Sequence, residues 1–217
     1  MKKIAVVLSG CGHLDGSEIT EAVSVLICLS ELGASVQCFA PDVDFQVVNH
    51  LDQSETSEKR NARAESSRIA RAEVRDIKLL NEKDFDAVVF PGGFGAAKTL
   101  SDWATVGSKA YINKDVSRVL RKFHKAIKPI GAVCISPVLV AKVLGDENVT
   151  VTVGDDEQTI GEILKTGTQH SKCAVNDYIS DRDHKVLTTP AYMYENATPF
   201  EVFTGIRRMI VELVEMS

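Results

Sequence analysis

The chain has 217 residues, 44% apolar and 25% charged, with a formal net charge of −5; these values suit a folded domain and exclude intrinsic disorder. At about 150 residues per domain the length fits a single domain, or one with an elaboration, and it buries a core without disulfides. No stretch approaches the ~20 apolar residues that cross a bilayer, and mild acidity argues against nucleic acid, whose binders cluster basic charge.

Lys2-Lys3 ahead of the apolar run 4–8 has the look of a targeting segment, but the run is short and Asp15 and Glu18 soon follow, so 3–8 reads as a first buried strand. Ser17 opens a helix with Ile19, Ala22, Val23, Leu26 and Ile27 on its inward face, closed by Gly33. A second strand at 36–39 stops at Pro41. Residues 42–76, rich in Glu, Arg and Ser, lack β character and predict a helical excursion around 57–73 after a loop. A third strand, 87–90, is cut by Pro91-Gly92-Gly93. Val116, Val119, Leu120, Phe123 and Ile127 mark an amphipathic helix, and a fourth strand, 129–133, runs into Cys134 with Pro137 in the next helical turn. A short strand at 149–153, a helix around Ile160, Ile163 and Leu164, a hairpin at 178–188 and a last helix at 201–215 complete the chain.

Strand–helix–strand alternation predicts a mostly parallel sheet covered on both faces, with ligand sites at the carboxyl ends of strands. Three of those ends, 9–16, 91–95 and 134–137, carry unusual residues. Five cysteines (Cys11, Cys28, Cys38, Cys134, Cys173), an odd number with no Cys-x-x-Cys, fit free thiols in a reducing cytosol, and so a cytoplasmic protein.

The turn Gly10-Cys-Gly12 imitates a dinucleotide fingerprint, with Asp42 as a ribose acid, but Asp15 and Glu18 stand where a pyrophosphate would dock. Gly92-Gly-Phe-Gly-Ala-Ala-Lys98-Thr99 nearly spells a phosphate loop, with Ala97 in place of its last glycine; a turn presenting the Gly93 amide to an oxyanion is the better reading. Ala132-Val-Cys134-Ile-Ser136, with small residues two before and two after a thiol, describes a nucleophile elbow, and a helix N-terminus there favours a thiolate. His170-x-x-Cys173 with Cys11 or Cys38 is the one loose metal set, and no third ligand is fixed by spacing.

Ser9-Gly-Cys-Gly12, Asp15-Gly-Ser-Glu18-Ile19, Cys38-Phe-Ala-Pro41, the 91–98 turn and Thr189-Pro-Ala-Tyr-Met193 together resemble ElbB, the bacterial isoprenoid biosynthesis glyoxalase or "enhancing lycopene biosynthesis" family of the ThiJ/PfpI superfamily. The resemblance covers essentially the whole chain, with 42–76 as a subfamily elaboration. It implies an α/β flavodoxin-like sandwich of the class I glutamine-amidotransferase type, a homodimer, and Cys134 as nucleophile met by Glu18 from the first helix. It further implies an oxyanion hole at Gly93 and Ile135, a cleft including Gly92, and no metal or other cofactor. Cys11 and His170 are the remaining cleft candidates, since no histidine follows the elbow as it does in many superfamily members. The expected activity is conversion of glyoxal or methylglyoxal, a small reactive aldehyde, to a 2-hydroxy acid through a cysteine hemithioacetal. The alternative is a redox-responsive or partner-binding protein whose Cys134 is oxidised as a signal. Neither nucleic acid nor a membrane is an expected partner.

Overall fold

Apolar runs too short for helices build the centre of the molecule, and the computed structural model describes residues 1–71 and 73–217. In chain order the elements are β1 (Lys3–Val7), α1 (Ile19–Glu31), β2 (Ser35–Ala40), β3 (Asp44–Val48), β4 (Glu55–Asn61), α2 (Ala62–Ala70) and β5 (Val74–Asp76). There follow β6 (Ala87–Phe90), α3 (Phe94–Lys98), α4 (Trp103–Val106), α5 (Lys114–Lys125), β7 (Ile130–Val133) and α6 (Pro137–Leu144). The rest comprises β8 (Thr150–Val151), α7 (Glu157–Leu164), β9 (Gln169–His170), β10 (Ile179–Asp181), β11 (Val186–Thr189) and α8 (Pro199–Met216).

Seven strands form one sheet in the order β10-β11-β7-β6-β1-β2-β5, parallel throughout except for the edge strand β10. The middle strands β6, β7 and β11 are buried along their whole length, which is why they read as unbroken apolar or small-residue runs and not as alternating patterns. One face is sealed by α1, α2 and α8 over Val25, Leu29, Ile69, Ile206 and Ile210. The other is sealed by α5, α6 and α7 over Phe90, Val119, Leu120, Leu139 and Ile163. The predicted mostly parallel α/β sandwich is therefore what the chain builds.

Three expectations need correction. Residues 42–76 do carry strands: β3 and β4 pair as an antiparallel hairpin, and β5 is the edge of the main sheet beside β2. The hairpin is hidden in the sequence because β4 (Glu-Thr-Ser-Glu-Lys-Arg-Asn) is polar on both faces; helix is confined to α2, capped by the Asn61 side chain. The strand expected at 149–153 shrinks to β8, which leaves the main sheet and pairs with β9. In α1 the buried face is Glu21, Ala22, Ser24, Val25, Cys28 and Leu29, while Ile19, Val23 and Ile27 point outward at 49%, 36% and 52% exposure.

Candidate active site

The carboxyl ends of β6, β7 and β11 converge on Cys134. The residue follows the last position of β7 directly and holds a left-handed backbone, φ 60°, three residues before α6 starts at Pro137. A non-glycine residue in that region is strained by the order of 1–3 kcal/mol and persists because its surroundings hold it. They do so here. The Cys134 N–H donates to Thr189 O at 2.9 Å, and the Ser136 hydroxyl donates to Pro91 O at 2.6 Å, pinning the elbow to β11 and to the turn after β6. Ala132 and Ser136, the small residues flanking the thiol, are completely buried.

Gly92 and Gly93 form the opposite wall. A Cβ on Gly92 would stand 2.4 Å from Cys134 Cβ and 2.4 Å from Glu21 Oε2, so only glycine leaves those two groups face to face. Gly93 has φ 95°, and a Cβ there would strike Gly16 O at 2.3 Å. The Gly93 and Ile135 amides both lie near enough to the Cys134 sulfur to favour its charged form. The structure thus brings both expected oxyanion donors to the thiol.

The carboxyl at the thiol belongs to Glu21, not Glu18, and the assignment of Glu18 as the cysteine's partner is corrected. Glu18 is the N-cap of α1: its Oε2 accepts the Glu21 N–H at 2.6 Å and its own N–H donates to Gly92 O at 3.0 Å. One helical turn further, Glu21 is fully buried and accepts the Tyr192 N–H at Oε1 (3.2 Å). Its Oε2 makes no regular hydrogen bond among the described residues and faces the Cys134 thiol. Burial, then the neighbouring charge of Glu18, pushes the Glu21 carboxyl up to about 8. Burial, reinforced by Glu21, also pushes the Cys134 thiol well above its ordinary value, and the Gly93 and Ile135 amides pull the other way. The helix N-terminus alone therefore does not yield a free thiolate. At neutral pH both members of the pair therefore keep their protons, and a carboxyl that titrates close to neutrality is placed to take the thiol's proton as the sulfur reacts.

Of the remaining candidates, Gly92 is in the site. His170 is not: its Nε2 accepts the Val153 N–H at 3.1 Å, and burial lowers its pKa. Cys11 lines a different cavity, beneath the β3–β4 hairpin. Lys98, the would-be phosphate-loop lysine, donates to Leu14 O and lies 5.1 Å over the Phe94 ring. Asp42, the would-be ribose acid, is held by Asn61 and Arg63. All five cysteines are free thiols, and among the described residues no three metal-ligating side chains come together.

The DJ-1/PfpI family profile matches residues 2–176. The human "Glutamine amidotransferase-like class 1 domain-containing protein 3, mitochondrial" is 44% identical across 99% of this chain and 83% of its own length. The rat "ES1 protein homolog, mitochondrial" is 43% identical across 99% and 84%. Among solved structures, an isoprenoid biosynthesis protein with amidotransferase-like domain from Ehrlichia chaffeensis superposes with a TM-score of 0.93, at 40% identity over 100% of this chain and 99% of that one. Both curated relatives are named mitochondrial, which overturns the cytoplasmic expectation. Free thiols report a reducing environment and do not distinguish one reducing compartment from another.

Proposed function

Because this chain belongs to the DJ-1/PfpI family, we propose that it is a cofactor-independent glyoxalase of the ElbB type, acting on glyoxal or methylglyoxal. The observation that carries the reading is the pairing of Cys134, at a strained elbow with two amides aimed at its sulfur, with a buried Glu21 whose carboxyl titrates at about 8.

The aldehyde carbon lies between these groups. Ionised Glu21 takes the S–H proton as the Cys134 sulfur adds to that carbon, the new C–S bond forming as the carbonyl π pair moves to oxygen, where the Gly93 and Ile135 amides receive the charge. Glu21 gives its proton to that oxygen and a hemithioacetal results. The Glu21 carboxylate then takes the hydrogen from the sulfur-bearing carbon as a proton. The electron pair passes through an enediol to the adjacent carbon, which Glu21 reprotonates, while the hydroxyl proton of the sulfur-bearing carbon moves to the neighbouring oxygen. One carbon is oxidised and its neighbour reduced by the same two electrons, leaving a thioester that water cleaves to the 2-hydroxy acid and free thiol. A carboxyl with a pKa near neutrality suits a residue that must both give and take a proton. The absence of a histidine from this scheme is met by Glu21 serving both roles.

The redox-responsive alternative has less support, because a sensor thiol is characteristically accessible and of low pKa, whereas Cys134 is 8% exposed with its pKa raised. The deciding experiment follows glyoxal conversion to glycolate by NMR without added thiol. Cys134→Ala and Glu21→Gln are each expected to abolish turnover; equal turnover in wild type and Cys134→Ala refutes the proposal.

A further inference from the structure

The turn Thr189-Pro-Ala-Tyr-Met193 touches both members of the reacting pair. Thr189 O accepts the Cys134 N–H at 2.9 Å, and three positions on the Tyr192 N–H donates to Glu21 Oε1 at 3.2 Å. Between them Ala191 is completely buried and holds a left-handed backbone, φ 45°. An alanine is strained there, and hydrogen bonds tie the turn down around it. The Met193 N–H donates to Pro190 O at 2.9 Å, the Tyr194 N–H to Ala191 O at 3.2 Å, and the Thr189 hydroxyl to Asp177 O at 2.8 Å. Ala191 is thus a second non-glycine residue, after Cys134, held left-handed beside the site.

This turn treats the two oxygens of Glu21 differently. Oε1 accepts the Tyr192 N–H. Oε2 has no hydrogen-bond partner among the described residues and lies on the side of the thiol, where a Cβ on Gly92 would stand 2.4 Å from both it and Cys134 Cβ. In a protonated carboxyl the carbonyl oxygen accepts and the hydroxyl oxygen donates. An N–H fixed on Oε1 therefore makes that atom the carbonyl and leaves the proton on Oε2. When the group ionises, the same N–H becomes a charge-assisted bond and still occupies Oε1. Without this donor the two orientations of the carboxyl, related by a nearly two-fold torsion, lose their distinction, and the proton is shared with the oxygen turned away from the sulfur.

We propose that the Tyr192 backbone amide, aimed by the left-handed Ala191, is a positioning group that confines proton exchange by Glu21 to the Oε2 atom facing Cys134. This rests on Glu21 as the acid–base partner of Cys134 and not on the identity of the aldehyde. Tyr192→Pro removes the N–H, whereas Tyr192→Ala deletes the same ring and keeps it, so the comparison isolates the amide. The first readout is the Glu21 titration, followed by NMR of protein carrying ¹³C at its glutamate carboxyls and identified by the resonance missing from Glu21→Gln. An N–H donor favours the ionised carboxyl, so the midpoint, near 8 in the wild type, should lie about one unit higher in Tyr192→Pro than in Tyr192→Ala. The second readout is glyoxal turnover, expected to be about tenfold lower or more in Tyr192→Pro than in Tyr192→Ala. Equal midpoints or equal turnover in the two variants overturn the proposal. Failure of the glyoxalase reading is a separate result: the wild type then leaves glyoxal unchanged, and the rate of Cys134 alkylation by iodoacetamide, slower in Tyr192→Pro, takes the place of turnover. Should Tyr192→Pro fail to fold by its thermal melt, the wild-type Tyr192 amide proton decides. It should shift with a midpoint near 8 and stay fixed in Glu21→Gln; an amide that ignores the Glu21 titration overturns the proposal.

Discussion

Replacing Glu21 by glutamine removes the titration that the fold imposes on this carboxyl, and the consequence is a change in how stability depends on pH. In the unfolded chain the group ionises near its ordinary 4.5, and in the folded protein near 8. Between those values the native state holds a proton that the unfolded state has released, so stability falls as pH rises, by about 1.4 kcal/mol per pH unit. Below 4.5 both states are protonated and the contribution is fully present; above about 8 both are ionised and it is gone. Across the interval the loss amounts to about 4–5 kcal/mol, a large part of the roughly 5–15 kcal/mol that holds a typical domain. A glutamine side chain has the same shape, keeps one acceptor oxygen for the Tyr192 N–H, and has no proton to lose. The assay is urea unfolding of wild type and Glu21→Gln from about pH 5 to 9. The stability difference should swing toward the glutamine variant as pH rises and flatten above about 8. Parallel curves would show that Glu21 is not buried as an acid, and would remove the proton donor from the proposed chemistry.

Two further outcomes follow from the same geometry. Glu18→Gln keeps a side-chain oxygen for the Glu21 N–H but deletes the charge that helps hold Glu21 protonated, so the falling limb of the wild-type curve should end at a lower pH; an unmoved limb would mean that burial alone sets the Glu21 titration. Gly93→Ala places a methyl against Gly16 O at a backbone φ of 95°, which should cost about 1–3 kcal/mol in urea unfolding and, by swinging an amide off the sulfur, about tenfold or more in glyoxal turnover.

The elbow, the glycine turn and the parallel sheet are legible because each obeys a local rule: a buried strand is apolar on both faces, and a thiol at a tight turn needs small neighbours. The acid is not, and the reason lies in α1. This helix is apolar around most of its circumference, with Ile19, Val23 and Ile27 on one side and Ala22, Val25, Cys28 and Leu29 on the other. Periodicity therefore offers two phases, and the wrong one turns Glu21 outward and leaves Glu18 as the nearest carboxylate to the loop. The signal that resolves it is a charge set among the second group: Glu21, Val25, Cys28 and Leu29 share one stripe, and an acid on a buried stripe is a functional candidate. The β3–β4 hairpin escapes notice for the opposite reason. Its second strand has no apolar face to read, and it is held by a partner strand and not by the core.

The site is also assembled from parts that are remote along the chain. Tyr192 reaches Glu21 across 171 positions, and the Cys134 amide is fixed by Thr189. Parallel strands have no hairpin shortcut to bring such ends together, so these contacts form late in folding. A nascent chain that has emerged only as far as α6 carries the nucleophile without the Thr189 and Tyr192 contacts that orient it and its acid. The growing polypeptide has an exposed thiol without its catalytic partners, and docking of β11 both completes the site and buries Cys134, so protection of Cys134 from alkylation during refolding becomes a clock for closure of the whole sheet.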